Sequence, residues 1–147
     1  METKREYDIC YAAVDVAIID TFGLLHEYGT NILLGRKPGQ EKFRFIGGFS
    51  DVNSKSYEDD AIREVKEETR LRINNPIYVG STLVDDPRYR ESRDKIKTIL
   101  FAANYKGGKP KAGDDVEEVK WFEVDALKPS DLVKEHRPLL KMLKEKL

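Results

Sequence analysis

Acidic side chains cluster at helical spacing near the middle of this 147-residue chain. Glu64, Glu67 and Glu68 lie within a little over one helical turn, so an α-helix would bring them to one side. Carboxylates at this spacing destabilise an isolated helix by roughly 0.2–0.5 kcal/mol per pair. A divalent cation would offset the repulsion, and Mg²⁺ binds carboxylates together with the phosphates of a substrate. The cluster is therefore a candidate metal site, with a solvated helix face as the alternative in a chain with 36% charged residues.

The helix that carries the cluster is predicted from Tyr57 to Leu71. Ser56 followed three residues later by Asp59 is typical of a capping box that begins a helix. Residues at three- and four-residue spacing predict its buried stripe: Tyr57, Ala61, Ile62, Val65 and Thr69. The carboxylates would then project from the rest of the helix surface.

Two glycines, Gly47 and Gly48, precede this helix and follow a short strand predicted at Phe43–Ile46. Because glycine has no Cβ, the backbone here can approach an ion or a phosphate closely. Arg63 lies one turn before Glu67 and is placed to hold that carboxylate by a charge-assisted bond. Together these residues favour a metal site over a solvated helix face.

This stretch resembles the Nudix box, G-x5-E-x7-R-E-U-x-E-E-x-G-U, where U is aliphatic. The residues that match are Gly48, Arg63, Glu64, Val65, Glu67, Glu68 and Leu71 or Ile73. The spacing from glycine to arginine is one residue longer than in the pattern. Lys55 stands where the first Glu is expected, Arg70 replaces the late Gly, and Ile46 stands where relatives often have Pro. The R-E-U-x-E-E core, which carries the metals in this family, is intact.

The resemblance spans essentially the whole chain and implies the α/β/α sandwich of Nudix proteins with a mixed β-sheet. The residues themselves predict an α/β fold, because strands flank one helix early and another helix comes late. The predicted strands are 7–20, 31–34, 43–46, 77–84, 96–105 and 119–124. At the carboxyl end, Pro129 begins a helical region that Pro138 divides into two helices, with His136 as a structural residue just before the break. His26, in a loop predicted at Thr21–Gly29, is interpreted as a solvated turn residue.

Length and composition predict one domain spanning residues 1–147. The net charge of −1 argues against a general nucleic-acid or membrane-surface binder, since such proteins usually have a basic excess. A single cysteine, Cys10, cannot form an internal disulfide, which suits a reducing cytoplasm. Its apolar surroundings make a nucleophilic role unfavourable. The sequence shows neither a signal peptide nor a membrane span.

Candidate substrate-binding residues lie in two places. Phe45, in the strand before the glycines, could stack on a base, although core packing is the alternative for it and for Phe43. Arg88 and Arg90 would supply guanidinium donors for phosphate, and Tyr89 between them an aromatic face for a base or ribose. A charged surface loop without a ligand is the alternative for this segment.

A second acidic cluster runs through residues 114–118, before Trp121. In Nudix relatives an acidic residue at a similar position completes the metal shell or acts as general base. The resemblance assigns that role to Asp115, with Asp114, Glu117 and Glu118 as alternatives. A solvated acidic loop is again the simpler interpretation.

These residues lead to one predicted reaction. Glu64, Glu67 and Glu68, with the Gly47 carbonyl, would hold Mg²⁺ or Mn²⁺ against a diphosphate, and Arg63 would orient the glutamates. Water would then attack one phosphorus, with Asp115 as base. The segments 80–90 and 112–122 resemble Nudix domains that hydrolyse ADP-ribose to AMP and ribose 5-phosphate, which implies a nucleoside diphosphate substrate and a homodimer.

Two alternatives remain open at this stage. The first is a Nudix hydrolase that acts on another nucleotide: a nucleotide sugar, a dinucleoside polyphosphate or a nucleoside triphosphate. The second is a nucleotide-sensing domain that keeps the fold without turnover, which the departures at Lys55, Arg70 and Ile46 motivate. No nucleic-acid partner and no membrane are expected for either.

Overall fold

A computed structural model describes residues 6–21 and 29–147. Most of the loop predicted at Thr21–Gly29, including His26, therefore lies outside the described residues. The strands are β1 (Cys10–Thr21), β2 (Thr30–Arg36), β3 (Ile46–Phe49), β4 (Ile77–Leu83), β5 (Lys95–Asn104) and β6 (Glu118–Glu123). The α-helices are α1 (Tyr57–Thr69) and α2 (Arg137–Lys146). None of the helices in these ranges has the length and apolar character that a membrane crossing requires.

The six strands form one sheet in the order β4-β5-β1-β2-β6, with β3 pairing to β1 off this path. Strands β1 and β5 are parallel, and the other pairs are antiparallel. The sheet is therefore mixed, as predicted. Because β1 lies at its centre, residues on this strand reach both faces of the sheet.

Alternating residues of β1 enter two separate cores. Val14, Val16 and Ile18 pack with Ala61 and Val65 of α1, while the other face of the sheet packs against α2. Successive side chains of a strand point to opposite faces, so the pattern of β1 places one helix on each side. This arrangement confirms the predicted α/β/α sandwich.

The strand predicted at Phe43–Ile46 is displaced toward the glycines. Phe43 and Arg44 form only isolated bridges, and the regular strand runs from Ile46 to Phe49. Within it Gly48 pairs with Val14 of β1. The prediction missed this because glycine is usually unfavourable in a strand interior, whereas here close approach to β1 requires it.

Helix α1 begins where predicted, with the Asp59 N–H donating to Ser56 Oγ at 3.0 Å. Its predicted buried stripe is only partly correct, because Tyr57 and Ile62 are 43% and 36% exposed. The helix ends at Arg70, whose positive φ of 67° is the left-handed conformation for which the family pattern has glycine.

The prediction of two helices divided by Pro138 is wrong. The chain instead makes short 3₁₀ turns at Pro129–Asp131 and Lys134–His136 and then a single α-helix, α2. Pro138 lies in the first turn of α2, where its missing N–H has no helical partner to lose. The proline therefore begins the helix instead of breaking one.

We expect Gly47→Ala to lower the free energy of unfolding by about 2–4 kcal/mol, because a Cβ there would lie 2.1 Å from the Val14 carbonyl oxygen. Gly39→Ala is the control: its φ of +78° is unfavourable for alanine, but no atom lies within 4 Å. Gly39→Ala should lower the free energy of unfolding by about 1 kcal/mol. Urea unfolding of both variants measures the difference, and equal losses would contradict the close approach of β3 to β1.

Candidate functional site

The largest group of chemically reactive side chains surrounds a cavity of about 390 Å³ beside β3. Residues of β1, β3, β5, α1 and the loop around Asp114 line it. Four of the lining carboxylates come from the two predicted acidic clusters: Glu64, Glu68, Asp114 and Asp115. The fold thus brings residues some fifty positions apart in the sequence to one opening.

Glu68 is the most buried of these carboxylates, with 4% of its surface exposed. The Gly47 N–H donates to Glu68 Oε1 at 3.0 Å, which joins α1 to β3. Burial raises the pKa of Glu68 to about 8; the Gly47 hydrogen bond opposes this shift, and the charges of Glu64 and Asp115 add to it. A cation beside Glu68 would stabilise its charged form.

Glu64 lies against the second glycine. A Cβ on Gly48 would be only 2.7 Å from Glu64 Oε1, so a larger residue here would displace this carboxylate. Burial raises the pKa of Glu64, and the neighbouring Arg63 acts in the opposite direction. The diglycine is therefore in contact with Glu64 as well as Glu68.

Arg63 lies within ion-pair distance of both Glu64 and Glu67, and Glu64 is nearer than Glu67, the partner that spacing indicated. Its Nη1 lies 2.7 Å from Asp60 Oδ1, and its Nη2 lies 3.1 Å from Glu64 Oε1. Its Nε lies 3.9 Å from Glu67 Oε1. Arg63 Nη2 also donates to the Phe49 carbonyl at 3.3 Å. The arginine consequently ties the end of β3 to α1.

Glu67 does not line the cavity, and its side chain is 49% exposed. Within residues 6–21 and 29–147, no group of three or more His, Cys, Asp or Glu side chains lies in the arrangement that holds a metal ion. The donor chemistry nevertheless fits a hard divalent cation, because Glu64 and Glu68 present oxygen atoms in surroundings that disfavour their charge. The metal-binding roles of Glu64, Glu67, Glu68 and the Gly47 carbonyl remain predictions.

Asp114 and Asp115 occupy the rim of the cavity. Asp115 Oδ2 lies 3.3 Å from Lys37 Nζ, and 59% of its side chain is exposed. Asp114 adopts a positive φ of 52° and raises the pKa of Glu64 electrostatically, after the larger effect of burial. Both residues thus act on the electrostatics of the glutamates, and the assignment of Asp115 as base remains a prediction.

The four predicted substrate-binding residues have different positions. Phe45 is 1% exposed in the core, although it also contacts the cavity, so it has little surface for stacking on a base. Arg88 lines the cavity and pairs with Asp86 at 2.7 Å. Tyr89 and Arg90 do not line it, and Arg90 instead pairs with Asp85 at 2.8 Å.

Two structural groups near the site were not predicted. Asp60 is fully buried and accepts hydrogen bonds from Ser50 Oγ and the Asp51 N–H, which fixes the loop after β3. Its position one helical turn before Glu64 was the available signal. In addition, Tyr11 lies edge-on to both Phe49 and Tyr89, with centroid distances of 6.4 and 5.8 Å. No local pattern indicates that cluster, because its members come from distant segments.

His136 was predicted to be structural, and its contacts agree. The Phe45 N–H donates to His136 Nδ1 at 2.9 Å, and His136 Nε2 lies 3.6 Å from Asp15 Oδ1. Thr98 Oγ1 donates to the other oxygen of Asp15 at 2.5 Å. These buried contacts hold the segment that leads into the diglycine.

Comparison with known proteins identifies the family. Residues 12–143 match the model of the NUDIX domain, and the chain belongs to the Nudix family. The ADP-ribose pyrophosphatase of Methanocaldococcus jannaschii is 30% identical over 123 residues, which are 81% of this chain and 68% of that relative. The NAD-capped RNA hydrolase NudC of Pseudomonas fluorescens is 35% identical over 105 residues. The alignment covers 69% of this chain but only 35% of NudC, so the chain spans about a third of that relative.

Solved structures agree on the fold. The NUDIX domain of Shewanella oneidensis NrtR, complexed with ADP ribose, has a TM-score of 0.73 and 18% identity, covering 97% of this chain and 90% of that one. A MutT NUDIX hydrolase from Burkholderia pseudomallei has a TM-score of 0.72 and 19% identity. The match covers 92% of this chain and 99% of the Burkholderia chain. At these identities the likeness establishes the fold alone.

We expect Glu68→Gln to stabilise the cation-free protein increasingly as pH rises. Between pH 4.5 and about 8 the folded state retains a proton on Glu68 that the unfolded chain has released, so rising pH lowers wild-type stability across this window. Gln keeps an acceptor for the Gly47 N–H and does not titrate. Its advantage over wild type should grow by at least about 2 kcal/mol between pH 5 and pH 9.

Urea unfolding in EDTA measures this difference, with Glu91→Gln as the control because Glu91 is exposed and lies outside the cavity. An advantage of Glu68→Gln that is the same at both pH values would contradict the raised pKa of Glu68.

Proposed function

We propose that this chain is a Nudix hydrolase that uses Mg²⁺ or Mn²⁺ to cleave the phosphoanhydride of a nucleoside diphosphate derivative. The observation that carries the proposal is the placement of Glu64 and Glu68 against the Gly47–Gly48 backbone, inside a cavity. Desolvation raises the pKa values of both carboxylates even though Glu64 is paired with Arg63, so further positive charge would stabilise them, and a diphosphate needs its charge offset before a nucleophile can approach. A cation between them meets both requirements.

ADP-ribose is the proposed substrate, with AMP and ribose 5-phosphate as products. The archaeal ADP-ribose pyrophosphatase supports this choice, since it is aligned over most of this chain and over two thirds of its own length. The NAD-capped RNA hydrolase has a higher identity over a smaller part of its chain, which favours NAD-like dinucleotides as the next substrate to test. A homodimer, which the family resemblance implies, and a cytoplasmic location, which the single cysteine suits, complete the proposal.

Each residue of the site has a proposed role. Glu64 and Glu68 would hold the cation, with Glu67 and the Gly47 carbonyl as further ligands, and the cation would supply charge neutralisation and a more acidic bound water. Arg63 positions Glu64 through their 3.1 Å contact and holds the end of β3. Asp115, at the rim beside Lys37, would accept the proton of the attacking water. Arg88 lies where it can contact a phosphate from the same rim.

We expect the wild-type protein to release AMP from ADP-ribose in the presence of Mg²⁺, and Glu68→Gln to lower turnover by at least about a hundredfold while the fold is retained. The carboxylate supplies the charge that holds the cation, and the amide does not. Turnover is followed by chromatography of AMP, with circular dichroism to check the fold and Glu91→Gln as the control.

The same assay should include NAD⁺, a nucleotide sugar, a dinucleoside polyphosphate and a nucleoside triphosphate. Product from another member of this panel, with none from ADP-ribose, would keep the hydrolase and change its substrate. Binding without product from any of them would favour a sensing domain. Unchanged turnover in Glu68→Gln would remove Glu68 from the metal site.

A further inference from the structure

Three basic side chains line the cavity beside β3: Lys37, Arg44 and Arg88. Two of them are paired, because Lys37 Nζ lies 3.3 Å from Asp115 Oδ2 and Arg88 Nη2 lies 2.7 Å from Asp86 Oδ2. Arg44 makes no side-chain hydrogen bond or ion pair with the described residues, and its Nε is buried without a partner. Among the described residues it is therefore the cavity's unpaired cation.

The position of Arg44 is fixed by its backbone. Its N–H donates to the Gly35 carbonyl at 2.8 Å, and the Gly35 N–H donates back to the Arg44 carbonyl at 2.9 Å. The next residue, Phe45, donates its N–H to His136. The fold itself thus brings the guanidinium to the cavity, although none of the described residues there accepts its hydrogen bonds.

Neighbouring groups offset this positive charge only in part. Asp86 lies near Arg44, but both of its carboxylate oxygens accept hydrogen bonds from the Arg88 side chain. Burial lowers the pKa of His136 and the charge of Arg44 acts in the same direction, so the histidine is held in its neutral form. A buried donor without an acceptor destabilises a protein, and its retention in a cavity indicates a ligand that accepts from it.

We propose that Arg44 binds a phosphate group of the substrate, in the cavity near Asp86 and His136, and so favours substrates with a diphosphate. The planar guanidinium matches the oxygens of a phosphate, and each half of a diphosphate carries negative charge. The carboxylates and their cation would neutralise one part of that charge, and Arg44 another. That this phosphate belongs to a nucleoside diphosphate derivative rests on the proposed function.

The test is binding of inorganic phosphate and of AMP, measured by isothermal titration calorimetry in EDTA. We expect Arg44→Met to weaken both by about tenfold or more, because Met keeps the side-chain stem and removes the donors. Arg93→Met is the matched control, since Arg93 pairs with Asp8 at 2.6 Å and does not line the cavity. Adenosine, which has no phosphate, should bind equally to the wild type and both variants.

Thermal unfolding without ligand distinguishes a binding role from a structural one. Arg44→Met should melt no lower than wild type, because the variant loses a buried unpaired donor, whereas a structural arginine would lower the melting temperature when replaced. If Arg44→Met does not fold, Arg44→Lys replaces it; it keeps the charge without the planar fork and should show intermediate affinity.

Phosphate affinity that is unchanged in Arg44→Met, or no phosphate or AMP binding by the wild type, would overturn the inference. Since binding in EDTA needs neither cation nor turnover, the inference can fail while ADP-ribose is hydrolysed. Conversely, the protein could bind phosphate and AMP through Arg44 and yet hydrolyse no substrate. That result would contradict the proposed function and support this inference.

Discussion

The hydrogen bond from the Gly47 N–H to Glu68 Oε1 is the contact on which the site depends. It joins the central part of the sheet, through β3, to the helix that carries the acidic cluster. The contact requires glycine, because β3 approaches β1 so closely that a Cβ on Gly47 would overlap the Val14 carbonyl. Glu68 is buried beside this strand, and its burial raises its pKa. Packing against the strand therefore leaves a carboxylate whose charged form a cation would stabilise.

The cavity is lined by charges of both signs. Glu64 and Glu68 lie beside the diglycine and disfavour their own ionisation, which suits a cation. Arg44, near Asp86 and His136, has a buried donor without a partner among the described residues, which suits an anion. A diphosphate bound to cations carries positive charge for the glutamates and negative charge for Arg44. Charged groups that are only partly paired among the described residues are typical of a binding site, where a ligand supplies what the fold leaves unsatisfied.

The sequence predicted those features that depend on local spacing. The Ser56 cap, the helix with Glu64 and Glu68 on it, and the family and sandwich fold all follow from short patterns, and the structure and comparisons confirm them. Contacts between distant segments could not be predicted, such as the Phe45 N–H to His136 Nδ1 bond across 91 positions. Spacing also paired Arg63 with Glu67, whereas tertiary packing buries Asp60 and makes it the closer partner.

Direct measurement of cation binding tests the central claim that the diglycine and the two buried glutamates form a metal site. Electron paramagnetic resonance of free Mn²⁺ during titration gives the affinity without any substrate. We expect saturable binding to the wild type, and affinity lower by at least about tenfold when Glu64 or Glu68 is replaced by Gln. Equal Mn²⁺ affinity in the wild type and both variants would contradict it.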